Sequence, residues 1–256
     1  MAWVGVVSAT LRADCSVAFH SGIQPPGFSG GVRALTFHDA GTGNALYAAG
    51  SFLTAGSVPA NRIARLDDKV WSPLGVGVNL DIYAMAEVAD ELYVAGFFTQ
   101  AGGQPANYIA RWDGTSWSAL GSGLSLSSNP ANTWAIALAE AEGALIVGGN
   151  FDTAGGASAN NIGQWNPGSQ SWSSVGSGVA GPVHALAVFD EDGSGPAAPS
   201  LFVGGLFATA GGSAAVNIAK WDGSAYSPLA GGVNDLVRSM GVWKNKLYVG
   251  GAFTMA

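Results

Sequence analysis

Apolar residues in this chain gather into short runs of four to seven positions rich in Val, Ile, Leu, Tyr, Phe and Trp, each bounded by Gly, Asn, Asp or Pro. Runs of that length with those boundaries predict β-strands, and no helical period of three to four residues is sustained anywhere. The runs also recur. ALYAAGSF, ELYVAGFF, ALIVGGNF, SLFVGGLF and KLYVGGAF place Phe52, Phe98, Phe151, Phe207 and Phe253 at equivalent points, 46, 53, 56 and 46 residues apart. Fourteen residues after each of the first four Phe, a second segment (NRIARL, NYIARW, NNIGQW, VNIAKW) ends at Leu66, Trp112, Trp165 and Trp221. A third (WSPLGVG, WSALGSG, WSSVGSG, YSPLAGG) starts at Trp71, Trp117, Trp172 and Tyr226, and a fourth (VRALTF, IYAMAEV, VHALAVF, VRSMGVW) leads into the next copy.

Four strands per unit at this period predict an all-β fold, a β-propeller of four-stranded antiparallel blades. We label the strands A (VxALxxF), B (LYVGGxF), C (NxIAxW) and D (WSxLGxG), with A innermost. Asp113-Gly114 and Asp222-Gly223 between C and D predict two-residue hairpin turns with positive φ at both positions. The blades span approximately 32–76, 82–122, 133–177 and 183–231, within a single domain covering 1–256. A fifth copy supplies only A and B, from 237 to 256, and residues 1–22 are the candidates for its C and D strands. With Gly22 closing a D strand, Leu11 falls where the Trp of strand C belongs, and the spacing from Phe253 through the chain end to Leu11 is again 14. That register describes a five-bladed ring whose last blade is shared between the termini, which would remove the exposed sheet edges. A fragment of a longer repeat protein is the alternative.

Composition narrows the function classes. Ten basic against 17 acidic residues give a net charge of −7, which disfavours nucleic acid and anionic lipid as partners. No apolar stretch approaches the roughly 20 residues needed to span a bilayer, so no membrane insertion is expected. A single Cys15 excludes an internal disulfide framework and a Cys-based zinc site. Met1 is followed by AWVGVVSATL with no basic segment, so no cleavable signal peptide is apparent. Most of the 39 Gly and most of the nine Trp fall at recurring points of the unit. Recurrence assigns them to packing and turns; each buried indole contributes up to about 4–6 kcal/mol by area.

Function is sought where the copies disagree. The position after the first residue of strand A reads Arg33, Tyr83, Trp134, His184 and Arg238, with small or aliphatic neighbours, and these five are expected to ring one mouth of the central channel. The D–A loops bring Asn79, Asp81, Asn132, Asn234 and Asp235 to the same mouth. The set suits a small polar or sugar ligand; the competing reading is that it merely packs between blades and meets solvent. Catalysis is not expected. A glycosidase needs paired carboxylates, and only Asp81 and Asp235 qualify by position, with Glu87 near the far end of its strand. No cofactor is expected; the weak candidate for Ca2+ is Asp190, Asp192 and Ser194 in the lengthened loop FDEDGSGPAAPS, which lacks a closing carboxylate downstream.

The pattern IAxWDGxxWSxLGxG, followed by VxALAVF and LYVGGxFxxAGG, resembles the tandem repeats of bacterial secreted and surface proteins, a kelch-like group of β-propellers. It is also similar to the propeller region of fungal cell-cortex polarity markers. The resemblance runs from Arg33 to Phe253 and is fullest at IARWDGTSWSALGSG; Leu66 and Tyr226 depart from it at Trp positions. It implies an extracellular or cell-surface location and no assigned reaction. The expected function is therefore a non-enzymatic binding or interaction module for a protein or glycan partner. The alternatives are a purely structural tile of a larger assembly or an engineered or truncated repeat scaffold, and, further off, a propeller glycoside hydrolase.

Overall fold

The computed structural model describes residues 27–41, 43–193, 195–196 and 198–256. The strands proposed within residues 1–22 lie outside the described residues. Each of the first four repeats forms a four-stranded antiparallel sheet in the order A-B-C-D. Blade 1 comprises Val32–Asp39, Asn44–Gly50, Ile63–Asp67 and Val70–Pro73. Blade 2 comprises Ile82–Val88, Glu91–Gly96, Ile109–Trp112 and Trp117–Ala119. Blade 3 runs through Trp134–Ala141, Ala144–Asn150, Ile162–Asn166 and Ser171–Ser174, and blade 4 through Val183–Phe189, Ser200–Gly205, Ile218–Trp221 and Tyr226–Pro228. The fifth copy is a two-stranded sheet of Val237–Val242 and Leu247–Gly251. The helical content among the described residues is one 3-10 turn, Pro130–Asn132.

Strand A of each blade lies against strand A of the next from blade 1 to blade 5, so A is the inner strand. The blades join through alternate faces of strand B. Tyr47 and Ala49 of blade 1 pack on Ile82, Val94 and Phe98 of blade 2, and Tyr93 and Ala95 of blade 2 pack on Leu145, Val147 and Phe151 of blade 3. Ile146 meets Val203 and Phe207 of blade 4, and Ala185 meets Val237 and Phe253 of the fifth copy. A strand whose two faces meet two neighbouring blades must be apolar on both, which is why strand B reads as a continuous hydrophobic run.

The aromatic residue opening strand D ties neighbouring blades together. Trp117 Nε1 donates to the Leu74 carbonyl of the preceding blade at 2.8 Å, and Trp172 Nε1 donates to Leu120 O at 2.9 Å. Tyr226, a departure from the repeat pattern, donates its hydroxyl to Val175 O at 3.1 Å and so preserves the same link. Burial of that phenol pushes its pKa well above 10. Tyr226→Phe should keep the ring contact with Trp221, 4.7 Å away, and cost about 0.5–1.5 kcal/mol in chemical denaturation; no change would remove the bond from the account.

Two turns differ from expectation. Asp113-Gly114 belongs to a four-residue connection between the paired Trp112 and Trp117, and of the two only Gly114 has positive φ. Asp113 instead accepts from the N–H groups of Thr115 and Ser116 at 2.8 and 2.7 Å, which drives its carboxyl far below the usual range; Asp222 repeats this with Ser224 and Ala225. The two-residue turn with both φ positive sits at Gly102-Gly103 between the short strands Gln100–Ala101 and Gln104–Pro105, and again at Gly155-Gly156 and Gly211-Gly212.

Candidate binding site at the channel mouth

Every inner strand carries a β-bulge near its start. The pairing jumps from Val32↔Gly50 to Ala34↔Ala49, leaving Arg33 as the extra residue, and the same shift leaves out Tyr83, His184 and Arg238. In blade 3 the jump lies between Ala135↔Gly149 and Ala137↔Gly148, so the bulged residue is Ile136 and not Trp134. Trp134 stands two positions before the bulge, level with Gly31, Asp81, Pro182 and Leu236, whose carbonyls all face a glycine at the end of strand B. A bulge swings its unpaired side chain out of the alternating pattern, which is how the repeat presents variable residues without disturbing the packed face.

Despite the shifted register, the side chains meet in order around the inner strands. The Arg33 guanidinium lies over the Tyr83 ring at 4.1 Å. Tyr83 contacts Phe97 at 5.1 Å, Phe97 stacks with Trp134 at 6.4 Å and 28°, and Trp134 meets His184 edge-on at 5.0 Å. Burial, with Arg238 adding like charge, pulls the His184 pKa below its ordinary value. Arg238 is exposed and makes no hydrogen bond or ion pair among the described residues. Arg33, Tyr83, Phe97, Trp134 and His184 therefore form a continuous path from blade 1 to blade 4, and Arg238 lies on the next inner strand.

Asp81 has one oxygen 3.6 Å from Arg33 Nη2 and the other 3.4 Å from Arg62 Nε. Arg62 also donates through Nη1 to Ser51 O at 2.8 Å. With a guanidinium against each oxygen, Asp81 works as a counter-ion that orients two arginines. Asp235, the other candidate acid, accepts from the Leu236 N–H at 2.7 Å and sits one register position before the level of Asp81. Glu87 faces the opposite end, where it lies 3.1 Å from Nδ1 of the buried His38.

The loop asparagines are committed to the scaffold. Asn79 accepts from the N–H groups of Thr99 and Gln100 at 2.9 and 3.0 Å, and Asn234 accepts from Thr254 and Met255 at 2.8 and 3.0 Å. The Asn132 carbonyl accepts from Asn150 Nδ2 at 2.7 Å. Open grooves of about 250–400 Å³ lie beside these turns at successive blade junctions. Their linings, such as Asn61, Asn107 and Asn160, repeat with the blade as scaffold positions do. In the blade-4 loop, Asp190 accepts from the N–H groups of Asp192 and Gly193, an arrangement that closes a turn, and Ser194 lies outside the described residues.

Two groups were not singled out from the sequence. Phe97 bridges Tyr83 and Trp134, and its equivalents are Ser51, Asn150, Leu206 and Ala252. Arg62 shares a position with Tyr108, Asn161 and Asn217, all with φ between 62 and 69°. Left-handed backbone suits Asn but costs Arg and Tyr about 1–2 kcal/mol. Each reaches inward from there, Tyr108 donating its hydroxyl to Pro130 O at 3.2 Å and Asn217 donating to Val233 O at 2.9 Å. Both positions vary between copies as the bulge does, which is the signal that would have found them.

No curated protein sequence matches the chain. Residues 123–224 match the model of the Rax2 C-terminal β-propeller domain, and residues 90–112 match that of DUF5122, a β-propeller domain of unknown function. Among solved structures the chain is similar to the extracellular domain of BT4673 of B. thetaiotaomicron, assigned as a hybrid two component system. The identity is 13% and the TM-score 0.56, over 90% of this chain and 27% of that one. The chain thus spans about a quarter of that protein's length. A similarity to the GH74 enzyme of Niastella koreensis, at 14% identity over 80% of this chain and 37% of that one, has a TM-score of 0.31 and supports no argument. The sheet order and the family matches together make this chain a β-propeller, with the Rax2-type match spanning blade 3 and strands A to C of blade 4.

Proposed function

We propose that the chain is a non-enzymatic binding module, displayed outside the cell or at a surface, that uses the mouth of its inner strands to hold a glycan or protein partner. The observation that supports it best is the contiguous row of Arg33, Tyr83, Phe97, Trp134 and His184 drawn from separate blades, with Arg238 on the next inner strand. Scaffold needs would produce the same residue in each blade; a lining that differs at every step suits a specific ligand. The candidate acids are engaged by arginines or by backbone, which suits binding better than proton transfer. The extracellular placement of one structural neighbour favours the surface location.

A glycan array probed with the wild-type chain and with a Trp134→Ala, His184→Ala double variant tests this reading. Binding by the wild type that the double variant loses is the expected result. Equal background signals from both would leave the structural-tile reading in its place for glycans.

A further inference from the structure

The mouth carries a net positive charge in an acidic molecule. Against a net charge of −7, its cations are Arg33, Arg62 and Arg238 and its anions Asp81 and Asp235. Asp81 is consumed between Arg33 and Arg62, and Asp235 forms no ion pair with Arg238 among the described residues. Arg238 is thus an exposed guanidinium with its fork of donors unspent, one blade away from the aromatic row.

That row has a definite shape. Phe97 and Trp134 are stacked at 6.4 Å and 28°, Phe97 is 38% exposed, and Tyr83 and His184 stand tilted against the pair at 56° and 62°. The π face of an aromatic ring is negative, and the C–H face of a pyranose carries the opposite partial charge, so a sugar ring lies flat on such a platform. A guanidinium at the platform's end binds a carboxylate bidentately. An exposed aromatic ring, Phe97, backed by Trp134, and an arginine on the fifth copy together describe a ligand with both a C–H face and a carboxylate. An acidic peptide offers the carboxylate without the flat surface, and a neutral glycan offers the reverse.

We infer that the mouth recognises a carboxylate-bearing saccharide, of the uronic or sialic acid class, with its ring on Phe97 and Trp134 and its carboxylate on Arg238. This rests on the binding-module reading and narrows it to one ligand chemistry. The Arg33–Tyr83 contact, braced through Asp81 by Arg62, closes the other end of the platform and presents a second guanidinium to a neighbouring residue of an oligosaccharide.

Calorimetric titration of the chain with trigalacturonate, a hyaluronan oligosaccharide and sialyllactose, each beside its carboxyl methyl ester, and with polyglutamate, separates the outcomes. At least one free acid should bind, its ester roughly tenfold or more weaker. Arg238→Gln, a change at an exposed position, should reduce the acid to the affinity of the ester and leave the ester unchanged, while Trp134→Ala weakens both. Equal binding of acid and ester would overturn the carboxylate inference and leave a glycan-binding mouth standing. Polyglutamate bound as tightly as the sugars and indifferent to Trp134→Ala would overturn the saccharide assignment altogether. No binding of any of the three acids would overturn the inference, and the neutral glycans of the array then decide whether the broader reading survives.

Discussion

Phe98→Ala should destabilise the chain by about 3–5 kcal/mol, a large part of the roughly 5–15 kcal/mol that holds a typical domain together. Phe98 closes strand B of blade 2, is 0% exposed and sits in the interface that receives Tyr47 and Ala49 from blade 1. Truncating it leaves a cavity walled by two sheets that are each fixed by their own hydrogen bonds, so the site cannot collapse around the loss. Its counterpart Phe253 in the fifth copy is only partly buried, and Phe253→Ala should cost clearly less. Denaturant midpoints for the two variants give the comparison; equal losses would mean that the recurring Phe does not do the same job in each blade.

Gly123→Ala should cost about 2–5 kcal/mol, and Gly156→Ala only about 1–2. Both glycines have positive φ, +74 and +84°, so both substitutions carry the left-handed backbone penalty. They differ in space. A Cβ on Gly123 would meet the Asn107 carbonyl oxygen at 2.5 Å, where strand C of the same blade is clamped to the turn by Asn107 Nδ2 donating to Ser122 O at 3.0 Å. A Cβ on Gly156 meets nothing within 4 Å. The same crowding recurs at Gly77, Gly178 and Gly232, which explains the glycine four residues beyond the end of each of the four D strands. Comparable midpoints for the two variants would refute the close approach.

The blades were legible because strand, turn and packing signals recur: the runs read as A to D in blades 1–4 are the strands of four sheets, in that spatial order. Strand pairs of two residues, such as Thr153–Ala154 with Ala157–Ser158, were not, because two positions carry no alternation to read. The Asp-Gly signal was ambiguous for a physical reason. Asp113 can close a longer turn with its own carboxylate, and nothing in the dipeptide alone distinguishes that from a two-residue turn. At the start of strand A, the chosen positions coincide with the bulged residues in blades 1, 2 and 4 and the fifth copy and miss that of blade 3 by two residues. Counting back 15 residues from the recurring Phe gives Tyr83, Arg238 and, from Phe151, Ile136, so the register was present in the spacing. Trp134 aligns with the others through the Ala135 that follows it, and it meets His184 from two positions before the bulge. Phe97 and Arg62 escaped because they lie on strand B's exit and strand C's entry, and their approach to strand A is a property of the folded sheet.

The central claim is that side chains from separate blades form one lining at the mouth, and NMR titration of the His184 imidazole tests it most directly. His184 on blade 4 owes its depressed pKa first to burial, in a position flanked by Trp134 of blade 3, and then to Arg238 of the fifth copy. Its midpoint should fall below 6.5 in the wild type and rise in both Trp134→Ala and Arg238→Gln, the first by admitting water and the second by removing a cation. The sign carries through to folding: the neutral imidazole is the form the fold favours, so its contribution to stability is present above about 6.5 and is lost as pH drops through the depressed value. A midpoint at the ordinary value, unmoved by either substitution, would show that blades 3 to 5 do not meet at His184 and would contradict the account.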